Sequence, residues 1–467
     1  MANSKDSISS KALKSGIWYT VSNFLLKGVA FFTTPVFARL LSKSEYGEYS
    51  NYTAWQSIIA ILVTMELAGC VVRARYDFED DFDKFLSSIT WCGSVVTLAF
   101  YLIVILFQDL AVMVFGMDMK YIHLMFLTVL ISPALSILQA KHRILQKYIS
   151  FVILSVVSTI VSTCVSLVCV LNMEDKLFAR IYGMSVPFLV VYLGAYIILV
   201  AKGKTFYNYE YWKYAVCFCL PLVPHLLSNV ILGSSDRIMI KNMCGPEEAA
   251  VYSLAYSCGM IISVLFTALN QAWEPWLFDR LNDGDNESVV KMSRYYLVFF
   301  IILVEGAVLL SPEIMLFMGG KAYEEAIYVI PPVMAGYGCK FAYTFYVNSE
   351  RFAKKTAYIS IGTMVAALLN IVLNLIFIPI FGYMAAAYTT LIGFLVLLFM
   401  HYYMSKKMNI VGMYDNKFVF VIIGLMIVTS VACQLLYSNF VIRYMVVGGL
   451  IIASLLFCKK LWEVKRK

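Results

Sequence analysis

From residue 149 to residue 171 the chain reads ISFVILSVVSTIVSTCVSLVCVL, without one charged side chain. About 20 apolar residues in a helix match the roughly 30 Å hydrocarbon core of a bilayer, and runs of this kind recur along the whole chain. Only 14% of the 467 residues are charged and 61% are hydrophobic, where a soluble domain carries about 25% charged residues. The chain is therefore an integral membrane protein. A membrane β-barrel would show segments of about 10 residues in strict alternation, and these runs are longer and apolar throughout, so the expected class is an all-α polytopic membrane protein. Breaks in hydropathy predict fourteen spans near 15–38, 49–72, 85–107, 121–140, 148–171, 178–201, 214–235, 249–273, 295–317, 325–348, 356–378, 383–404, 417–437 and 440–458. The first run is too long for a signal-peptide core and no Ala-x-Ala site follows it, so it is expected to remain as the first helix.

Lys and Arg fall unevenly about these spans. One side holds 26 of the 37, among them Arg73, Arg143, Lys202, Arg294 and Arg351, and the other holds nine, including Arg39, Lys176, Arg237 and Arg443; Lys27 and Lys340 lie within spans. The richer side is expected to be cytoplasmic, which places both termini there. The net charge of +8 then reflects topology and is no footprint of a nucleic-acid partner.

The sequence also repeats at a period of just over 200 residues. LLSKSEYGEYS from Leu40 answers MCGPEEAAVYS from Met243, with Glu45, Tyr49 and Ser50 on Glu248, Tyr252 and Ser253. Tyr148-Ile149-Ser150 matches Tyr358-Ile359-Ser360, Gly183 matches Gly393, and Phe115-Gly116 is echoed by Phe317 to Gly319. A repeat of six helices enters the membrane the same way twice, so an axis along the membrane normal should relate two lobes in a V with the site between them. The expected division is an N-lobe at 1–201, a linker at 202–213, a C-lobe at 214–404, and two further helices with the tail at 405–467.

Every loop is short; the longest, around 279–294, could not hold a catalytic domain. No P-loop, GxSxG or HExxH is present, so neither ATP hydrolysis nor another enzymatic activity is expected. Eleven cysteines are scattered along the spans without metal-ligand spacing, and neither a metal nor disulfides are expected.

Polar residues form stripes in the apolar helices. Tyr19, Asn23, Lys27, Ala30 and Thr34 share one face of the first span at about 100° per residue. His225, Ser228, Asn229 and Asp236 form a second seam behind Pro221 and Pro224; Tyr252, Tyr256, Ser263, Asn270 and Glu274 form a third. Tyr337, Lys340, Thr344 and Asn348 follow, then Thr363, Asn370 and Asn374. Ser, Thr and Asn seams also serve as packing between helices. A lysine such as Lys27 is different: it costs roughly 2.5–3.5 kcal/mol at a lipid-facing helix centre and needs a hydrated cavity or a carboxylate, for which Glu66 and Glu305 are available. His225 fits a hydrogen-bonded core histidine as well as a cavity role, and Asp236-Arg237 fits a solvated interfacial pair as well as a site.

At LPLVPHLLSNVILGSSDRIMI, residues 220–240, the chain resembles the bacterial polysaccharide (O-antigen, Wzx-type) flippase family of the MATE-like superfamily. There a helix with spaced prolines, here Pro221 and Pro224, ends in Asp-Arg, here Asp236 and Arg237. LLSKSEYGEYSNY from Leu40 is similar to that family's stretch after the first helix. The resemblance implies two six-helix lobes and transport of an undecaprenyl-diphosphate-linked oligosaccharide, an O-antigen or capsule repeat unit, from the cytoplasmic to the periplasmic leaflet by alternating access. It implies a multi-pass protein of the bacterial inner membrane, working as a monomer among membrane lipids and alongside polysaccharide polymerase and chain-length machinery. Such a substrate needs cations for phosphate and hydroxyl, amide and aromatic groups for sugar. Lys27, Lys340, Asn23, Asn229, Tyr256, Asn270, Arg237, Arg73 and Arg143 are the candidates, with Lys27 and Lys340 in opposite lobes. Proton or sodium coupling would run through Glu66, Glu274, Glu305, His225 or Asp236, and no other cofactor is expected. The alternatives are an ion-coupled multidrug antiporter, whose cavity would be dominated by acids and aromatics, a membrane glycosyltransferase or polymerase, which would need a substantial outer loop, and a non-transporting scaffold.

Overall fold

The computed structural model describes the backbone of residues 2–145, 148–408 and 413–466, and side chains at 18, 21, 22, 24–145, 149–355, 357–408 and 413–455. Described segments are helical or turns, in two compact units, Met1–Asn242 and Met243–Lys467. The first half of the chain contains α1 (Ala2–Leu40), α2 (Lys43–Thr64), α3 (Val71–Asp77), α4 (Phe82–Leu106), α5 (Gln108–Phe115), α6 (Met119–Ile144), α7 (Tyr148–Asn172), α8 (Lys176–Gly203), α9 (Tyr209–Cys219) and α10 (Val223–Met243). The second contains α11 (Pro246–Asn282), α12 (Asn286–Leu309), α13 (Ser311–Met318), α14 (Ile330–Phe352), α15 (Thr356–Phe381), α16 (Met384–Lys407), α17 (Asn416–Ala432) and α18 (Phe440–Arg466).

Each expected span coincides with helix, but the count by length and hydropathy is lower than fourteen. Among the described residues ten helices qualify, or eleven when α2 is joined to the bent Leu67–Asp77 segment, and Phe440–Leu455 is a shorter apolar helix. Helix α14 does not qualify because Pro331, Pro332, Lys340 and several tyrosines dilute its apolar residues.

Local sequence sets the helix ends. Ser42 and Glu45 form a capping box at α2: the Ser42 amide donates to Glu45 Oε2 at 2.7 Å and the Glu45 amide to Ser42 Oγ at 3.2 Å, satisfying two donors that a helix start leaves open. Side chains of Asp175, Asn208, Asp285 and Asp415 accept in the same way at α8, α9, α12 and α17. The Phe418 amide, with Arg294 beside it, also holds the Asp415 carboxyl below the usual carboxylate range. Gly116, at φ +63°, ends α5 where a side chain would be strained.

The repeat read in the sequence reappears as a pattern of packing. In the first unit α2 packs on α4 and α6, α4 on α6, α6 on α8 and α7 on α8; in the second α11 packs on α12 and α14, α12 on α14, α14 on α16 and α15 on α16. Both copies carry an eight-residue helix at the matching place, α5 after α4 and α13 after α12. Helices α17 and α18 lie outside this pattern and pack within the second unit, α17 on α12 and α14 and α18 on α12.

Small residues bring the helices together, as dispersion and hydrogen bonds require where lipid removes the hydrophobic incentive. At the α7–α8 contact Gly183 lies against the Ser166 backbone, while Ser166 Oγ donates to the Arg180 carbonyl at 3.0 Å and Ser162 Oγ to that of Met184 at 3.1 Å. In the second unit Asn370, Asn374, Thr389 and Thr390 form a buried hydrogen-bonded cluster between α15 and α16.

Candidate functional site

In the first unit Lys27 is half-buried on α1. The Thr33 and Thr34 hydroxyls farther along donate to the Ala30 carbonyl at 3.2 and 2.7 Å, so these threonines are satisfied within their own helix. The side chains of Tyr19 and Asn23 lie outside the described residues. Glu66 is exposed at the break between α2 and the short turn Leu67–Cys70. It and Met65 adopt left-handed conformations, at φ 48° and 50°, and the two helical segments meet at a 52° bend. A carboxylate on an opened backbone within a membrane span must face protein or a water-lined space, because lipid satisfies neither group.

The two arginines expected near phosphate are placed differently. Arg73 is exposed but clamped by Asp77, at 3.1 Å through both Nε and a terminal nitrogen, and Tyr214 donates to the same carboxylate at 2.6 Å. Arg143 is exposed on the last turn of α6, where its neighbour Lys141 is buried and pairs with Asp83. On α10 the Asn229 amide turns back to the His225 carbonyl at 3.0 Å and stands 3.3 Å from His225 Nε2. Asp236 is 1% exposed and Arg237 half-buried, so the solvated interfacial pair is not what this helix end holds.

In the second unit the third and fourth sequence seams meet. Helices α11 and α14 run parallel, since pairings advance together along both: Tyr256 with Tyr337, Phe266 with Phe341, Asn270 with Asn348 and Glu274 with Arg351. Asn348 donates its amide to Asn270 Oδ1 at 2.9 Å, and Arg351 lies 3.3 Å from Glu274. Near the middle, the Lys340 ammonium sits 5.6 Å from the Phe266 ring centre and 5.9 Å from that of Phe394. Cation–π contacts of this kind contribute about 0.5–2 kcal/mol, and they set the half-buried Lys340 side chain in an aromatic surrounding. Tyr252, Tyr256 and Tyr337 extend the face with adjoining rings. Cation, aromatic and amide groups along one seam can hold an anion and stack against sugar.

Glu305 serves elsewhere. The hydroxyls of Thr429 and Ser430 on α17 donate to its Oε1 at 2.8 and 2.9 Å, which fastens α17 to α12.

Three arrangements, the first of them wholly buried, were not singled out from sequence. His401 and Glu350 pair between α16 and α14. Lys241 of α10 reaches Glu48 at 3.3 Å and also bonds the Gly116 carbonyl. Arg180 lies 3.5 Å over the Phe37 ring and donates to Ser166 Oγ at 2.8 Å. His401 carried the signal that drew attention to His225, an imidazole inside an apolar run. The other two depend on contacts between segments distant in sequence.

Comparisons with known proteins agree with this architecture. The profile described as "Polysaccharide biosynthesis protein" matches residues 12–280. The Lsg locus putative protein 1 of Haemophilus influenzae is 24% identical over 421 residues, covering 85% of this chain and 99% of the relative. An uncharacterized membrane protein of Methanocaldococcus jannaschii is 20% identical over 446 residues, covering 85% of each. Among solved structures, the lipid II flippase MurJ in an inward closed conformation superimposes with a TM-score of 0.74 at 16% identity, covering 97% of this chain and all of that one. An outward-facing MATE multidrug resistance transporter does so at 0.56 and 12% identity, covering 85% and 96%. This multi-pass membrane protein, with a fold shared by MurJ and the MATE transporters, belongs to the polysaccharide biosynthesis protein family.

Proposed function

We propose that the protein is a flippase that carries an undecaprenyl-diphosphate-linked oligosaccharide, an O-antigen or capsule repeat unit, from the cytoplasmic to the periplasmic leaflet of the bacterial inner membrane. The observation that carries this reading is Lys340, a cation set deep in a membrane helix between aromatic rings, in a chain with the fold of a lipid II flippase. The family match supports a role in polysaccharide assembly. In this reading Lys340 offers a cation for the diphosphate within the second unit and Lys27 one within the first, and the tyrosines and amides of α11 and α14 meet the sugar. The chain works as a monomer, by alternating access, and passes its product to the polymerase and chain-length machinery.

The test is translocation of a fluorescent undecaprenyl-diphosphate oligosaccharide in proteoliposomes. Lys27→Ala and Lys340→Ala should each lower the rate by about tenfold or more, the effect of losing about 1.4 kcal/mol or more. Arginine at either position should retain more activity because the charge remains. Wild-type translocation by a folded Lys27→Ala/Lys340→Ala double variant would overturn the assignment.

A further inference from the structure

The first turn of α8 holds no carboxylate and begins with Lys176; Arg180 follows four residues on, on the same helix face. A helix N-terminus is the positive end of the dipole and favours acidic side chains, and like charges at this spacing repel. Neither placement helps the helix. Both side chains reach across to α1. Lys176 Nζ donates to the Leu40 carbonyl at 3.2 Å, and the Arg180 guanidinium lies 3.5 Å over the Phe37 ring and 4.7 Å from that of Tyr49 on α2. The terminal nitrogens of Arg180 donate to Ser166 Oγ of α7 at 2.8 Å and to the Tyr49 hydroxyl at 3.2 Å. These acceptors are neutral, and Arg180 Nε is buried with no hydrogen-bond partner.

The carboxylates of the neighbouring segments are engaged elsewhere. Glu45 caps α2, Glu48 takes Lys241, and Asp175, the N-cap of α8, takes Lys120; Glu174 is exposed in the turn ahead. Among the described residues Lys176 and Arg180 therefore bond only to a carbonyl and two hydroxyls. The second copy of the repeat does not keep this arrangement. At the offset that sets Gly183 on Gly393, Arg180 falls on Thr390, whose hydroxyl accepts from Asn370 at 3.2 Å.

From this geometry we propose that Lys176 and Arg180 form a binding site for a phosphate group carried by a membrane lipid. A guanidinium offers five N–H donors in a planar fork and an ammonium three, and most of those donors have no acceptor among the described residues. A phosphate between the two side chains completes the fork and relieves their mutual repulsion, and the N-terminus of α8 adds its own attraction for an anion. A lipid is the fitting carrier because apolar surface adjoins the two side chains: Phe32 and Val36 are exposed on the turns of α1 that lead to Phe37, and Tyr182 on the turn of α8 after Phe178. Acyl or prenyl chains can lie there while the phosphate sits at the helix ends. The sequence bias of Lys and Arg assigns this end of α8 to the side opposite the cytoplasm, so in the transporter reading, on which this consequence rests, the phosphate would belong to a lipid of the outer leaflet.

The experiment uses the full chain, purified and delipidated in detergent, with lipid binding read by native mass spectrometry. The probes are phosphatidylglycerol, undecaprenyl diphosphate and, as a control without phosphate, diacylglycerol. Lys176 is exposed, so Lys176→Gln leaves the packing alone; it should weaken binding of a phosphate-bearing lipid about tenfold. Arg180→Gln should weaken it further, and Arg180→Lys should recover part of the loss. Lys202→Gln, exposed at the other end of α8, should bind as wild type does. A loss toward phosphatidylglycerol identifies a bilayer phospholipid as the occupant, whereas a loss confined to undecaprenyl diphosphate identifies the lipid carrier of the flippase reading. Unchanged affinity of Lys176→Gln for both lipids would overturn the proposal, as would an equal loss in Lys202→Gln or diacylglycerol binding that falls in step. No transport is measured, so this proposal and the flippase reading can fail separately.

Discussion

Gly183 shows how a single missing side chain fixes a membrane interface. Its Cα approaches the Ser166 backbone so closely that a built Cβ would lie 2.9 Å from the Ser166 nitrogen. That obstacle is backbone, which cannot rotate away, and the contact also carries the hydrogen bonds from Ser162 and Ser166 to carbonyls of α8. Gly183→Val should therefore destabilise the protein by about 1–3 kcal/mol, the range for overpacking, measurable as a lowered melting temperature in detergent. Gly233→Val, where nothing lies within 4 Å of the built Cβ, should change it little. Single residues were also where the sequence spoke least clearly. Lys340 was legible because a cation in an apolar run demands an explanation, but its aromatic neighbours come from α11 and α16, and no local pattern announces them. Glu305 was legible as an intramembrane carboxylate, yet its partners Thr429 and Ser430 stand more than a hundred residues on, in a helix outside the repeat.

At the scale of the element, the break after α2 is the least regular feature of the first unit. Met65 and Glu66 are consecutive non-glycine residues in the left-handed region, each at a cost on the order of 1–3 kcal/mol, and such strain persists where surrounding packing fixes it. Here Met65 is buried, the Glu66 amide donates to Thr64 Oγ1 at 3.4 Å, and the Gly69 amide donates to the Glu66 carbonyl at 2.8 Å. Asn tolerates left-handed backbone and a β-branched residue does not. Glu66→Asn should thus keep the wild-type melting temperature while removing the carboxylate, and Glu66→Val should lower it. If both melt alike, the left-handed turn is not what the position requires. The expected span 49–72 covered this segment as one helix, because hydropathy runs on through the break; the left-handed turn depends on how Cys70, Val71 and Ala74 pack in the core around Phe85 and Leu138, which hydropathy does not register.

At the scale of the whole molecule, the repeat was legible because order survives where identity does not. Matches as sparse as Tyr148-Ile149-Ser150 against Tyr358-Ile359-Ser360 sit at the starts of α7 and α15, which pack on α8 and α16 respectively. Equal orientation of the copies follows only if an even number of crossings separates them, and that makes topology the quantity to measure. The 26-to-9 division of Lys and Arg predicts 73–84, 141–147 and 279–294 on the cytoplasmic side and 236–248 on the other. Single cysteines, introduced after the native cysteines are replaced, should follow that division when treated with a membrane-impermeant maleimide on intact cells. Labels at 79 and 283 should be protected until the membrane is opened, while one at 247 should react at once. These positions are informative because Glu79, Asp283 and Glu247 are exposed at helix ends or turns, so reactivity reports the side of the membrane rather than burial. Labelling of 283 from outside would place an odd number of crossings between the corresponding loops, and the two packing patterns could then be related only by inversion, which would remove the basis for an axis along the membrane normal.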